Sequence, residues 1–285
     1  DLTGFFDLHV FRPGFVDYLI DDFHTERQAD GWHTTIALRQ QLAHCDSTAP
    51  TSGHRVPVTF FHQHRPIATR IVAFDGETGT AEFILDQEPH YASPDYYRTL
   101  SDAVTDADTL ITARRTVELP CSHFKLGMSS DPADTAFIHV AHHYCHPFER
   151  SATGYLNPGI VRFASRYWVI SGHVPEGLNL KGYFRYARGS QVWSHLDDGL
   201  FRSAASVDSR RLLDRPDSQS PWEVVATTQT GNTAEGFLLS SRLPLGQYTL
   251  AIVDEQRLAL PEIAPLSARL KVCPNPSHGD ITLHL

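Results

Sequence analysis

Trp32-His33-Thr34-Thr35-Ile36-Ala37-Leu38-Arg39 is the stretch that decides the fold. Trp32, Thr34, Ile36 and Leu38 alternate with His33, Thr35, Ala37 and Arg39, a period of two that a strand with one buried face requires. Its β-branched and aromatic side chains suit a pleated, half-buried surface. The same pattern continues outward. Val56, Val58 and Phe60 share a face, with Thr59 and Phe61 opposite. Arg70, Val72 and Phe74 run into Asp75-Gly76, a strong turn signal, and Phe83 to Leu85 is the expected return strand. Ala92 to Ala107 is less regular and reads as a loop or a short helix.

The polar, turn-rich segment Gly127–Asp134 (GMSSDPAD) reads as a boundary, beyond which a second β-rich block begins. Its strand candidates are Phe137 to Val140, Tyr167 to Ile170, Leu180 to Tyr186, Trp222 to Ala226, Phe237 to Leu239 and Tyr248 to Val253. In the last of these, Tyr248, Leu250 and Ile252 face one way. The Asp-, Arg-, Ser- and Pro-rich segment 207–221 reads as an exposed loop, and Arg257 to Leu270, with Pro261 and Pro265, as a linker. At the other end, Leu2, Phe5, Phe6, His9 and Val10 fall at helical spacing, and Pro13-Gly14 stops the helix. A helix this short is marginal in water, so its apolar stripe calls for a partner surface upstream.

The chain has 285 residues, 41% of them apolar, which suits two packed modules of roughly 100–130 residues each. The formal charge of −9 argues against a nucleic-acid partner, which needs a basic face. No apolar run of about 20 residues is present, so no transmembrane helix is expected. The start carries no signal-peptide pattern and reads as cut from a larger precursor. Four cysteines (Cys45, Cys121, Cys145, Cys273) are widely spread. Cys45 and Cys121 could staple one module; free or buried thiols are the alternative.

No contiguous catalytic motif is found. There is no HExxH, in which two imidazoles one helical turn apart share a metal, and no GxSxG, P-loop or GxGxxG. No catalytic or cofactor-binding residue is therefore expected in this chain. The densest chemical feature is His139-Val140-Ala141-His142-His143-Tyr144-Cys145-His146. On a strand, His139, His143 and Cys145 share one face and form a candidate zinc set; strand imidazoles bonded to backbone are the plainer reading. His62 and His64 are a second metal candidate beside a solvated strand end. Asp21-Asp22 and Asp197-Asp198 could offer carboxylates to calcium, although neither sits in a DxDxDG-like loop. Trp168 and Trp222 are either core residues or aromatic platforms for a sugar.

Three groups of residues resemble a known family. Asp1-Leu2-Thr3-Gly4-Phe5-Phe6-Asp7 followed by Pro13-Gly14-Phe15 resembles the close of the catalytic domain in aminopeptidase-N-like zinc peptidases (gluzincins), although His9 stands where that family has tryptophan. The block after it, with Val56-Pro57-Val58 and Leu100-Ser101-Asp102-Ala103, resembles the family's immunoglobulin-like sandwich. His142-His143-Tyr144, Ala164-Ser165-Arg166-Tyr167-Trp168 and Gly246-Gln247-Tyr248-Thr249-Leu250 resemble an extra sandwich of secreted Bacteroidetes-type relatives, with Tyr144 in place of a tryptophan. Val272-Cys273-Pro274-Asn275-Pro276, then Gly279 and Ile281-Thr282-Leu283, looks like the opening of a type IX secretion sorting domain. Cys273 replaces the usual aromatic residue.

The expectation is an all-β chain with two antiparallel, immunoglobulin-like β-sandwiches, a short N-terminal helix and the first strand of a truncated sorting domain. Its parts are 1–14, the end of an upstream catalytic helical domain; 15–126, the first sandwich; 127–256, the second; 257–270, a linker; and 271–285, the start of the sorting tail, with Pro274, Asn275, Pro276 and Gly279 as its motif. The resemblance implies a non-catalytic accessory region of a secreted or cell-surface zinc aminopeptidase of a Gram-negative bacterium. Zinc would lie in the upstream catalytic domain and none in this chain. The partners implied are that upstream domain, the outer-membrane secretion machinery and, through the parent, a peptide substrate. The alternative is a secreted carbohydrate- or peptide-binding sandwich with no peptidase parent.

Overall fold

The structure, a computed structural model, describes residues 15–43, 53–100, 102–149, 156–189, 193–201 and 209–258. The expected helix at 1–14, Cys45, and the tail with Pro274, Asn275, Pro276 and Gly279 lie outside these residues. The described chain is all-β and antiparallel, as the alternation of Trp32–Arg39 requires.

Six strands form the first pair of sheets: β1 (Phe15–Gln28), β2 (Gly31–Ala43), β3 (Arg55–His62), β4 (Arg65–Ala73), β5 (Thr78–Leu85) and β6 (Tyr91–Pro94). One sheet has the order β1-β2-β5 and the other β4-β3-β6. Their inner faces share one core. Val16, Tyr18, Ile36 and Leu38 meet Val56, Val58, Phe60 and Val72 there. These are the residues at alternate positions, so the period of two converts directly into a buried face.

Eleven strands form the second pair: β7 (Val104–Ile111), β8 (Val117–Leu119), β9 (Phe124–Met128), β10 (Ala136–His143), β11 (Ile160–His173), β12 (Leu180–Ala187), β13 (Arg210–Arg215), β14 (Glu223–Val225), β15 (Thr227–Gly231), β16 (Glu235–Ser240) and β17 (Gly246–Val253). A six-stranded sheet, β14-β13-β17-β11-β10-β7, faces a five-stranded sheet, β15-β16-β12-β9-β8. Between them Ile138, Val140, Trp168, Ile170, Tyr248 and Leu250 pack on Phe124, Leu126, Phe184 and Leu238.

Four sequence expectations change. The sheets do not divide at residue 127. β7 bonds to β10, and β9 to β8 and β12, so the change of sheets falls near residue 101; of GMSSDPAD, Gly127 and Met128 end β9 and only 129–134 link it to β10. Polar turn composition marks any surface crossing, whether between domains or between two sheets of one sandwich. Asp75-Gly76 does turn the chain, with Gly76 at φ 69°. The turn is not a hairpin, however: β4 bonds to β3, whereas β5 bonds to β2 in the facing sheet. The irregular segment 92–107 contains the end of β6 and the start of β7. Finally, the expected loop 207–221 contains β13, bonded on both sides. Its polar look comes from Arg210 and Arg215, both buried, whose guanidinium groups lie over Tyr186 and Trp222 respectively.

Candidate functional site

The chemically capable side chains collect on the outer face of β7, β10 and β11, and register explains why. Across β10, His139 stands beside Asp108 of β7 and Ser171 of β11; Ala141 beside Asp106 and Val169; His143 beside Val104 and Tyr167. The intervening residues Ile138 and Val140 point into the second core. The odd-numbered face meets the first sandwich instead. There β1 contributes Leu19, which packs on Cys145 and Tyr167. Phe61 lies just past a β-bulge in β3 and packs on Tyr91 of β6 and Phe137 of β10. The Phe61 and Tyr91 rings are stacked 4.7 Å apart. The seam between the two sandwiches is thus part apolar and part hydrogen-bonded.

Asp17 of β1 is its polar centre. The residue is fully buried. Its carboxylate accepts from His143 Nδ1 at 2.5 Å, Tyr167 Oη at 2.6 Å and Gln41 Nε2 at 2.9 Å. His143 also stacks on Tyr167, with ring centroids 4.2 Å apart. Burial pushes the Asp17 carboxyl up. The attraction of His143 and the hydrogen bonds from His143, Tyr167 and Cys145 together outweigh that and hold it below the ordinary carboxylate range. A second relay lies alongside. His139 Nδ1 is 2.6 Å from Asp108 Oδ1, and its Nε2 is 3.2 Å from Ser93 Oγ of β6. Asp108 also accepts from Tyr96 Oη at 2.6 Å. Four residues beyond Asp17 along β1, Asp21 accepts from Arg39 Nε at 2.8 Å and from Ser218 Oγ at 2.9 Å.

Between these groups lies a cavity of about 70 Å³. Its walls expose mainly apolar surface, from residues such as Leu19, Ala141 and Val169, and Tyr18, Asp102, His139, His143, Ser171 and Gln247 are among its polar members. Burial, and next the negative charge of Asp95, push the Asp102 carboxyl up to about 7. Tyr18 Oη and His143 Nε2 are buried and have no hydrogen-bond partner.

The candidates from sequence fall as follows. His139 and His143 share a face as expected, but residues four apart on a strand are about 13 Å apart, too far to share a zinc with bonds of about 2 Å. Each imidazole takes its own carboxylate instead. Cys145, on the same side, is a buried free thiol 3.0 Å from Gln41 Nε2. Burial, and next Asp17, push it well above the ordinary thiol value, which favours the unreactive form. Among the described residues no three His, Cys, Asp or Glu side chains converge in a cation-binding group. His62 Nδ1 donates to the Glu88 carbonyl oxygen at 2.8 Å. Asp21 is taken by Arg39, and Asp197 by Arg166 in a wholly buried, bidentate pair of 2.7 and 2.8 Å. Trp168 is fully buried and donates to the Ser122 carbonyl; Trp222 is buried and donates to that of Phe148. Neither indole is a surface platform. Cys121 is an exposed thiol, free among the described residues, and its proposed partner Cys45 lies outside them.

Asp17, Tyr18 and Tyr167 were not singled out in the sequence as site residues. The signal for Asp17 was there: one carboxylate inside the run Phe15-Val16-Asp17-Tyr18-Leu19-Ile20. A charge within an apolar strand must find partners on folding.

No protein-family model, curated protein or solved structure is similar to this chain.

Proposed function

We propose that this chain is a non-catalytic accessory region, a two-sandwich support for a larger secreted protein of the zinc aminopeptidase-like kind. The observation that carries this reading is the use made of the reactive side chains. Asp17 bonds to His143 and Tyr167, and Ser93 to His139, from one sandwich to the other, while Asp108 holds the His139 ring from its own sheet. A support that transmits position needs such a seam, because two sandwiches on a plain linker would move independently. The parent is argued from the order of the resembling segments along the chain: 1–15, 142–144, 164–168, 246–250 and 272–283. In this reading the zinc, its ligands and the attack of a zinc-bound water on a peptide bond belong to the upstream domain. The tail carrying Pro274, Asn275, Pro276 and Gly279 directs export through the outer membrane, to the outside or the cell surface.

The alternative is a carbohydrate- or peptide-binding module; its carbohydrate form lost its named platforms, since Trp168 and Trp222 are core residues. The coding sequence just upstream tests the proposal. An HExxH helix with a second Glu about 20 residues on, the spacing of such zinc sites, supports it. An unrelated domain there contradicts it. In the same protein, deleting 15–258 should lower the melting temperature of the catalytic domain; no change would remove the supporting role.

A further inference from the structure

The second sandwich covers one open side of the first. Asp17 and Leu19 of β1, and Tyr91 and Ser93 of β6, make their contacts across the seam. Both strands are edges of their sheets, whose orders are β1-β2-β5 and β4-β3-β6. The opposite edges, β5 and β4, therefore lie across the sandwich from the seam. Among the described residues no strand pairs with either on its outer side. An edge of this kind turns the N–H and C=O groups of alternate residues outward, ready to pair with another extended chain.

The two bare edges are not alike. β4 is blunted. Pro66 has no amide hydrogen to give, and Arg70 puts a charge on the face that Ala68 and Val72 turn to the core. β5 carries neither proline nor an inward charge. Its Ala81, Phe83 and Leu85 face the core, and Ile84 on the other face is 51% exposed. At one end β4 closes up on β5: a Cβ on Gly79 would stand 2.7 Å from the Ala73 carbonyl oxygen. At the other end the edges part around a groove of about 420 Å³, lined by 65–68 and Arg70 on β4 and by 84–87 at the end of β5. The stretch of β5 open to pairing is thus 81–85.

The charges of that groove select the chain that pairs there. Arg65 and Arg70 both line it and both are exposed. Neither forms an ion pair among the described residues, and Arg70 Nη1 donates only to the adjacent Thr69 carbonyl, at 3.1 Å. Asp86 is the single carboxylate of the lining, and it too forms no ion pair among the described residues. Two guanidinium groups against one carboxylate leave the groove positive, in a chain whose formal charge is −9. A guanidinium offers paired N–H donors that match a carboxylate.

We infer that the β5 edge takes up an extended acidic peptide by strand addition. The peptide backbone pairs with 81–85, and an acidic side chain on its inner face enters the groove to meet the Arg65 and Arg70 guanidinium groups. This surface does not depend on the identity of the parent protein.

The test is a titration of the intact chain with a heptapeptide blocked at both ends, in which threonine alternates with valine and the central inner-face residue is glutamate. Amide NMR should show saturable shifts at 81–85 and 65–70, and hydrogen exchange over 81–85 should slow. The same peptide with glutamine in place of glutamate should bind about three- to tenfold more weakly. Arg70→Gln should weaken the glutamate peptide by a similar factor and leave the glutamine peptide unchanged; Arg65→Gln serves if Arg70→Gln fails to fold. A glutamate peptide N-methylated at alternate amides keeps its charge, loses the donors for pairing and should not bind. Absence of saturation, equal binding of the glutamine or N-methylated peptide, or concentration-dependent self-association that already protects 81–85 without peptide would overturn the inference.

Discussion

Single residues set the acid and base limits of this molecule, and two aspartates act in opposite senses. The Asp17 pKa is lowered on folding. Its stabilisation is therefore complete above the unfolded value, near 3.9, and is lost as pH falls through the folded value. Asp102 is raised to about 7 by burial and Asp95. Its cost is absent below the unfolded value, grows between about pH 4 and 7, and is constant above that. Asp102→Asn should accordingly stabilise the protein at pH 8, by roughly 1–3 kcal/mol, and by much less at pH 4, as read from urea midpoints. Equal effects at both pH values would contradict this assignment. His142, fully buried against Trp168, is depressed by burial and then by Arg166. Its contribution is present above the unfolded value near 6.5 and is lost as pH falls, adding to acid lability. Trp168→Ala should cost about 3–5 kcal/mol, because the indole fills the centre of the second core and donates a buried hydrogen bond. A loss under 1 kcal/mol would place that side chain elsewhere.

At the scale of the element, β13 is the clearest case. Its sequence Arg210-Arg211-Leu212-Leu213-Asp214-Arg215 resembles a loop, yet Leu212 and Leu213 face two different apolar clusters. Its amides should exchange with solvent far more slowly than those of an exposed loop, by a factor of about 100 or more in hydrogen-exchange mass spectrometry, since the strand is bonded to β14 and β17. Free exchange across 210–215 would remove it from the sheet. The strand was hidden because cation–π stacking lets arginine occupy interior positions, and composition alone cannot show that. The strands with simple alternation, β2, β3, β10 and β17, were legible for the opposite reason: half their side chains are apolar at every second position. Strand partners were less legible. Nothing local in Thr78–Leu85 distinguishes pairing with β2 from pairing with β4, and only the shared core decides it. The face shared by His139 and His143 was read correctly from the period of two. What the period could not give was their partners, because Asp17 and Asp108 lie 126 and 31 residues away in the chain.

The described residues form two sandwiches joined by more than a linker. Aromatic packing of Phe61, Tyr91 and Phe137 accounts for one part of the seam, the Asp17 network for another, and the Asp21–Arg39–Ser218 contacts for a third further along β1. Breaking a buried ionic network by removing one member typically costs about 3–5 kcal/mol, enough to uncouple modules of ordinary marginal stability. The supporting role proposed above depends on this coupling. Calorimetric unfolding of the chain and of Asp17→Ala tests it most directly. The account predicts a single transition for the unaltered protein, with calorimetric and van't Hoff enthalpies equal, and two separated transitions for the variant. Two independent transitions in the unaltered protein, unmoved by Asp17→Ala, would contradict it.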